Sequence, residues 1–227
     1  MTDQALRARR LEAALVSKGT SADSIYRTAL STATAFELSG HVLEFGAGTG
    51  SLVTQLLASG FTGRMTCADI LARPAGISAG VDWIQADLNE PLPVSGRSFD
   101  AIISTEVIEH LENPRAVFRE FHRLLRPAGR LLLTTPNQES IRSLAALILR
   151  GHFVAFLDGS YPAHITALLR RDFRRICAEA GFEAPRFSYT DSGGIPKIPS
   201  LCWQNVSCGL LRGRLFSDNL VVLTKKV

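Results

Sequence analysis

The feature that most constrains this 227-residue chain is a change of texture at His41. From there, short apolar runs (VLEF, MTCA, DWIQ, AIIS and LLLT) alternate with longer stretches of helical character. Runs that are apolar nearly throughout, without polar alternation, suit strands buried on both faces. Interleaved with helices, they predict an α/β fold: a doubly wound, mostly parallel sheet with helices on both faces.

Around this centre the pattern is helical before position 40. Leu6, Leu11 and Leu15 share a stripe, and Ser21 through Leu38 opens with Ser and Asp signals that suit an N-cap. Residues 1–40 are therefore read as N-terminal helices packed on a domain formed by 41–227. Past Asn137 the order is less regular. Ser140–Phe156 reads as helix and loop, Leu168–Ala180 as a helix stopped by Gly181, and Phe182–Tyr189 as a strand. The Gly- and Pro-rich stretch 190–199 reads as a loop, Leu201–Leu211 as a short amphipathic helix and Asn219–Thr224 as the last strand. Regions 138–165 and 190–215 are thus insertions on the regular alternation.

With 46% hydrophobic and 20% charged residues the chain has the balance of a globular protein. Its longest uninterrupted apolar run, Leu144–Leu149, is far short of the ~20 residues of a membrane span, and charges thread the N-terminal apolar positions where a secretory signal needs a continuous core. A soluble, cytoplasmic protein is expected. Four cysteines without a CxxC pair fit reduced thiols there. The net charge of +4 comes from arginines at mostly helical spacings without interleaved aromatics, so solvated faces are expected and nucleic acid is not the expected partner. Nothing in the pattern sets an oligomeric state.

The sharpest motif is Glu44-Phe45-Gly46-Ala47-Gly48-Thr49-Gly50, between the strand His41–Phe45 and a helix over Ser51–Ser59. Glycines at a strand-to-helix turn permit positive φ and let a ligand lie against bare backbone. The dinucleotide fingerprint needs a glycine where Ser51 stands, and a P-loop needs a Lys-Ser/Thr pair that is missing. Asp69 ends the next strand, where an acid hydrogen-bonds ribose hydroxyls. A nucleoside-containing cofactor follows. Between Asp69 and Asp87, Arg73-Pro74-Ala75-Gly76 breaks any helix, so this crossover is expected to be a loop or a single turn.

With its E-x-G-x-G-x-G loop, Asp87 in QADLNEPLP, FDAIISTEVIEHLENP, LLRPAGRLLLTTPN and AEAGF in order, the chain resembles class I S-adenosylmethionine-dependent methyltransferases over Val42 to about Phe187. The resemblance implies a Rossmann-like seven-stranded sheet whose last strand is antiparallel, with S-adenosylmethionine as cofactor and S-adenosylhomocysteine as product. It implies that Glu44 and the loop Gly46, Ala47, Gly48 and Gly50 face the methionine part, Asp69 the ribose, Asp87 and Leu88 the adenine, with Ser104 and Thr105 closing the far side.

For the acceptor, candidates cluster in Glu106-Val107-Ile108-Glu109-His110. On a helix Glu106 and His110 would share a face, one of them serving as base; alternatively the two acids supply first-turn charge to a helix. His164, beside Tyr161 in GSYPAHIT, is a further candidate over the acceptor pocket. The E-x-x-E-H string is also similar to the metal motif of small-RNA 2'-O-methyltransferases and to a stretch in ubiquinone-pathway O-methyltransferases. That likeness implies a divalent ion on two carboxylates and an imidazole, with His164 completing the set and the ion unspecified. The stretch from Gly193 onward resembles tails of methyltransferases of glycan or lipid-linked sugar synthesis, with Arg212 and Arg214 available to phosphate. The expected activity is O-methylation of a small or lipid-linked molecule, sugar-like or quinone-like. RNA 2'-O-methylation with a metal, or a cofactor-binding regulator with a degenerate acceptor site, are the alternatives.

Overall fold

The computed structural model describes residues 3–17 and 19–227. Two helices lead, α1 (Asp3–Val16) and α2 (Asp23–Ala35), followed by β1 (His41–Phe45), α3 (Ser51–Ala58), β2 (Arg64–Asp69), β3 (Asp82–Gln85) and β4 (Phe99–Thr105). Then come α4 (Pro114–Leu124), β5 (Leu125–Pro136), α5 (Ile141–Arg150), α6 (Arg170–Ala180), β6 (Arg186–Tyr189), β7 (Gly194–Ile195), β8 (Ile198–Cys202), α7 (Trp203–Val206) and β9 (Asn219–Lys225). Seven strands form one sheet in the order β3-β2-β1-β4-β5-β9-β6. The β1 to β5 neighbours pair in parallel, while β9 runs antiparallel to both β5 and β6. This is the Rossmann-like doubly wound architecture expected above.

Successive residues of the central strands bury opposite faces, and each face meets helices. Leu43 and Phe45 of β1, Ile102 of β4 and Leu131 and Leu133 of β5 join a core with Phe118 and Phe121 of α4 and Phe173 and Ile176 of α6. Val42, Met65, Ile103 and Leu132 face the other way, onto Tyr26 and Ala29 of α2 and Leu52, Val53 and Leu56 of α3. Each fully buried Phe contributes about 1.5–3 kcal/mol. Helix α4 shows how local signals set an element: Pro114 takes its first turn, the Asn113 side chain accepts from Ala116 N at 3.1 Å, and Val117, Phe118, Phe121 and Leu124 form the buried stripe.

Strand order reverses between β1 and β4, opening a crevice at the carboxyl ends of the strands. No helix bridges β2 and β3. There the Arg73 guanidinium donates to the carbonyls of Val81, Ser78 and Ile77 at 2.6, 2.8 and 3.3 Å, standing in for the hydrogen bonds a helix would make.

Several local expectations are corrected. Helix α2 is capped at Ala22, whose methyl side chain has no acceptor to offer, while Ser21 one position earlier donates its N–H to the Tyr26 hydroxyl, 2.8 Å away. Stretch 190–199 is not plain loop: its Gly and Pro residues frame the β7–β8 hairpin, with Lys197 at φ 68 in the turn. The helix expected over Leu201–Leu211 shrinks to Trp203–Val206, since Cys208 and Gly209 take positive φ and Gln204 is spent bonding Gly193 N and the Leu211 and Phe216 carbonyls. Among the described residues, no helix is long and apolar enough to cross a membrane.

Candidate active site

A cavity of about 900 Å³ lies over the crevice, walled by the strand ends below, α1 and the segment 19–26 above, and 159–165 at one end. Glu44, Gly46, Ala47, Gly48, Asp69, Asp87, Leu88, Thr105, Glu106, His110 and His164 all line it. Gly50 and Ser104 do not. Ser104 is fully buried, turned from the cavity by the alternation of β4 that leaves Thr105 at its wall. Gly50 caps α3 at φ 77, where a Cβ would lie 2.0 Å from Ile77 Cδ1, so its missing side chain makes room for the core.

The glycine loop is held from two sides. Gly48 N donates to Asp69 Oδ2 at 2.7 Å, and Leu71 N donates to Asp69 Oδ1 at 2.8 Å, so one carboxylate joins the β1 and β2 exits. Gly48, at φ 53, lies so close beneath the N-terminal segment that a Cβ would stand 2.1 Å from Gly19 O; that carbonyl accepts from Thr49 N at 3.0 Å. Burial pushes Asp69 above the usual carboxylate range against these donors, and pushes Glu44, wholly enclosed beside Cys67, up to about 8.

Asp87, expected near the adenine, is partly engaged already. Arg10 of α1 reaches it at 2.7 Å and also holds Glu112 at 2.9 Å and Glu90 at 3.3 Å, while Asp87 Oδ1 accepts from Asn89 N at 3.0 Å. Beside it, Arg9 bonds the Tyr161 hydroxyl and lies over its ring. Helix α1 is thus tied across the cavity to both of its ends. Sequence alone does not reveal Arg9 and Arg10 as cavity residues: Arg10 and Asp87 are 77 positions apart, and inside a helical pattern an arginine reads as solvated.

At the acceptor end the expected helix is absent. Glu106 has φ 54, and only a 3-10 turn, Ile108–His110, follows before α4. Glu106 and His110 therefore share no helix face, and the acids are not first-turn surface charges. Glu106 Oε2 accepts from Asn219 Nδ2 at 2.7 Å and Glu109 Oε2 from Thr135 Oγ1 at 3.1 Å, while Oε1 of each is buried without a partner. Burial drives Glu109 up to about 8, and burial with the neighbouring Glu109 charge drives Glu106 well above its ordinary range. His110 Nδ1 donates to Ala163 O at 2.8 Å and His164 Nδ1 to Ala155 O at 2.6 Å; the rings meet edge-on with centroids 4.8 Å apart. Burial lowers the pKa of both, so the rings are neutral with Nε2 lone pairs available. One donor atom each from Glu109, His110 and His164 lies within 4.8 Å of the others.

Known proteins place this geometry. The profile of a family described as a methyltransferase domain matches residues 21–184. The chain belongs to the S-adenosylmethionine-dependent methyltransferases. The family match begins two residues ahead of α2. A ubiquinone biosynthesis O-methyltransferase of Xanthomonas oryzae pv. oryzae is 30% identical over 148 residues, 57% of this chain and 60% of that protein. The alignment therefore leaves about two-fifths of that curated relative unmatched. In fold, the methyltransferase is similar to a Thermotoga maritima methyltransferase described as a possible histamine N-methyltransferase (TM-score 0.64, 19% identity, 89% of each chain). It is also similar to a Burkholderia thailandensis 1,6-didemethyltoxoflavin N1-methyltransferase solved with S-adenosylhomocysteine (TM-score 0.57, 18% identity, 89% of this chain and 78% of that one).

Proposed function

We propose that this methyltransferase transfers the methyl group of S-adenosylmethionine to an oxygen of a small or lipid-linked acceptor, sugar-like or phenol-like. The observation that carries the reading is one continuous cavity with a backbone-lined end and an imidazole-lined end. Glu44, Gly46, Ala47 and Gly48 take the methionine part, Asp69 the ribose, Asp87 and Leu88 the adenine, and Thr105 the far side. When bound, S-adenosylmethionine supplies a methyl group on a positively charged sulfur, which departs as a neutral thioether. A hydroxyl that attacks this methyl must lose its proton, and a neutral imidazole pinned through Nδ1 presents Nε2 to take it. His110 is assigned that role, with His164 backing it and Glu106 shaping the floor. Alignment of hydroxyl and methyl inside an enclosed cavity supplies much of the rate. A cavity of about 900 Å³ suits cofactor and small acceptor together, which favours a small group over RNA.

The cluster of Glu109, His110 and His164 favours a second reading, in which these three would hold a divalent ion beside the acceptor hydroxyl. The imidazoles' bonds to carbonyls through Nδ1 fit that use, as ligating histidines are oriented in this way. The mixed N/O donor set suits Mg, Mn or Zn.

Calorimetry with S-adenosylmethionine, S-adenosylhomocysteine and NAD tests the cofactor assignment. The first two are expected to bind and NAD is not, because Ser51 replaces the third glycine of the dinucleotide loop. Asp69→Ala is expected to weaken the first two by about tenfold or more, the worth of one charge-assisted bond. Binding of NAD alone would overturn the assignment. Methyl release from labelled cofactor in a cell extract separates an enzyme from a cofactor-binding regulator.

A further inference from the structure

The acceptor end of the cavity carries one chemical asymmetry. Each of two carboxyl groups on the cavity wall has one oxygen tied to the sheet, Glu106 through Asn219 and Glu109 through Thr135, and its other oxygen buried without a partner. Glu109 as a residue is only 1% exposed. The nearby imidazoles have spent their N–H groups on the Ala163 and Ala155 carbonyls. Once a bound positive charge ionises the two acids, the groups gathered here offer hydrogen-bond acceptors, and no basic side chain is paired with either acid among the described residues. Burying an unpaired carboxyl oxygen costs on the order of 1–3 kcal/mol or more, and two of them in one cavity wall are matched by a ligand that brings donors and positive charge.

We infer that the inner end of the cavity is a subsite for a protonated amine, and that the acceptor is an amino alcohol or amino sugar whose ammonium group stands beside the hydroxyl that is methylated. This rests on the methyl-transfer reading above and deepens it. The ammonium sits between the free oxygens of Glu106 and Glu109, which leaves the neighbouring hydroxyl facing the imidazoles. In the reaction the hydroxyl oxygen forms the new O–CH3 bond, the cofactor sulfur keeps the electron pair of the broken S–C bond, and the hydroxyl proton passes to an imidazole and on to water. The ammonium takes no part in bond making. Its charge, paired with the carboxylates, keeps the amine protonated and so directs the methyl group to oxygen.

The experiment uses the full chain saturated with S-adenosylhomocysteine and titrates matched pairs by calorimetry: glucosamine against glucose, ethanolamine against ethylene glycol, and tyramine against 4-ethylphenol. At least one amine is expected to bind tenfold or more tightly than its neutral partner. That preference is expected to vanish in both Glu106→Gln and Glu109→Gln, with S-adenosylhomocysteine binding kept. No preference in any pair overturns the inference, as does a preference that survives both substitutions. Manganese binding by the wild type alone, lost in Glu109→Gln, assigns the free oxygen to a metal and overturns it too. Failure of S-adenosylhomocysteine to bind would instead strike the methyl-transfer reading, so the two failures are distinguishable.

Discussion

The two ends of the cavity are built by opposite means. The cofactor end is a product of the sheet: the Gly46–Gly50 loop leaves β1, Asp69 leaves β2, and the bond between Gly48 and Asp69 joins neighbouring strands already registered along their length. The acceptor end is assembled across long sequence distances. His110 is fixed by Ala163, 53 residues on, and Glu106 by Asn219, 113 residues on. Over both lies α1, tied by the ion pairs of one largely buried arginine, Arg10, with Asp87, Glu90 and Glu112. A floor made by backbone topology can hold a common cofactor in many proteins, whereas walls made by distant side chains can be changed singly, so acceptor choice belongs to the second region.

The largest expected effect follows from this division. His110→Ala should lower turnover by about 10² to 10⁴ while cofactor affinity holds, if the imidazole accepts the hydroxyl proton. Measured side by side, kcat and the S-adenosylhomocysteine dissociation constant report on the two ends separately. Loss of activity on adding a chelator, restored by Mn or Mg, would move His110 from base to ligand. Full activity of a His110→Ala, His164→Ala double variant would show that alignment alone suffices.

The same division marks what was legible in the sequence. The strands His41–Phe45 and Asn219–Lys225, helix α3 and the missing helix after Asp69 follow from signals within a few residues: continuous apolar runs, a glycine turn and an Arg-Pro-Ala-Gly break. The place of the glycine loop on the cavity wall came with them, since a loop between a buried strand and a helix has few places to go. The turn at Glu106–His110 was misread as helix because its cause is remote: Thr134 takes the Glu106 N–H at 3.1 Å and holds that residue at positive φ. Arg10 gave no local sign either, its three acids lying 77, 80 and 102 residues away. In the β7–β8 hairpin the Gly and Pro residues were seen but their partner strand was not, because two- and five-residue strands carry almost no periodicity.

An intermediate effect tests the floor through its buried acid. Glu44 is held protonated to about 8 by burial, against an ordinary value of 4.5. In the unfolded chain it ionises from about pH 4.5 upward, so the folded state binds the extra proton throughout that window. Stability contributed by the neutral carboxyl is therefore complete below the unfolded value and lost as pH rises through the folded one. Relative to Glu44→Gln, which has no proton to lose, the cofactor-free wild type should lose a few kcal/mol of unfolding free energy between about pH 4.5 and 8. Denaturant unfolding of both proteins across that range checks it. Parallel stability curves would mean that Glu44 is ionised in the fold and that the floor is more polar than its enclosure indicates.

The smallest effect belongs to the cover. Arg10 is 15% exposed and divides its guanidinium among Asp87, Glu90 and Glu112, the last two well exposed at 64% and 44%. Exposed pairs are each worth about 0–1 kcal/mol and are weakened by salt, so Arg10→Ala should loosen α1 without unfolding the sheet beneath it. The expected result is a cofactor dissociation rate about three- to tenfold faster, with association little changed, since the variant alters how often the cover opens rather than what the floor binds. In wild type, added salt should raise the dissociation rate towards that of the variant, and should move the variant itself much less. Arg10→Glu should release the cofactor faster still, and Arg10→Glu with Glu112→Arg should recover part of the loss, because the pair is restored with its sign reversed while Asp87 stays unpaired. Stopped-flow measurement of S-adenosylhomocysteine release checks all four proteins. Equal release rates would show that α1 is not held over the cavity by Arg10, and would make the cover as much a part of the rigid body as the glycine loop.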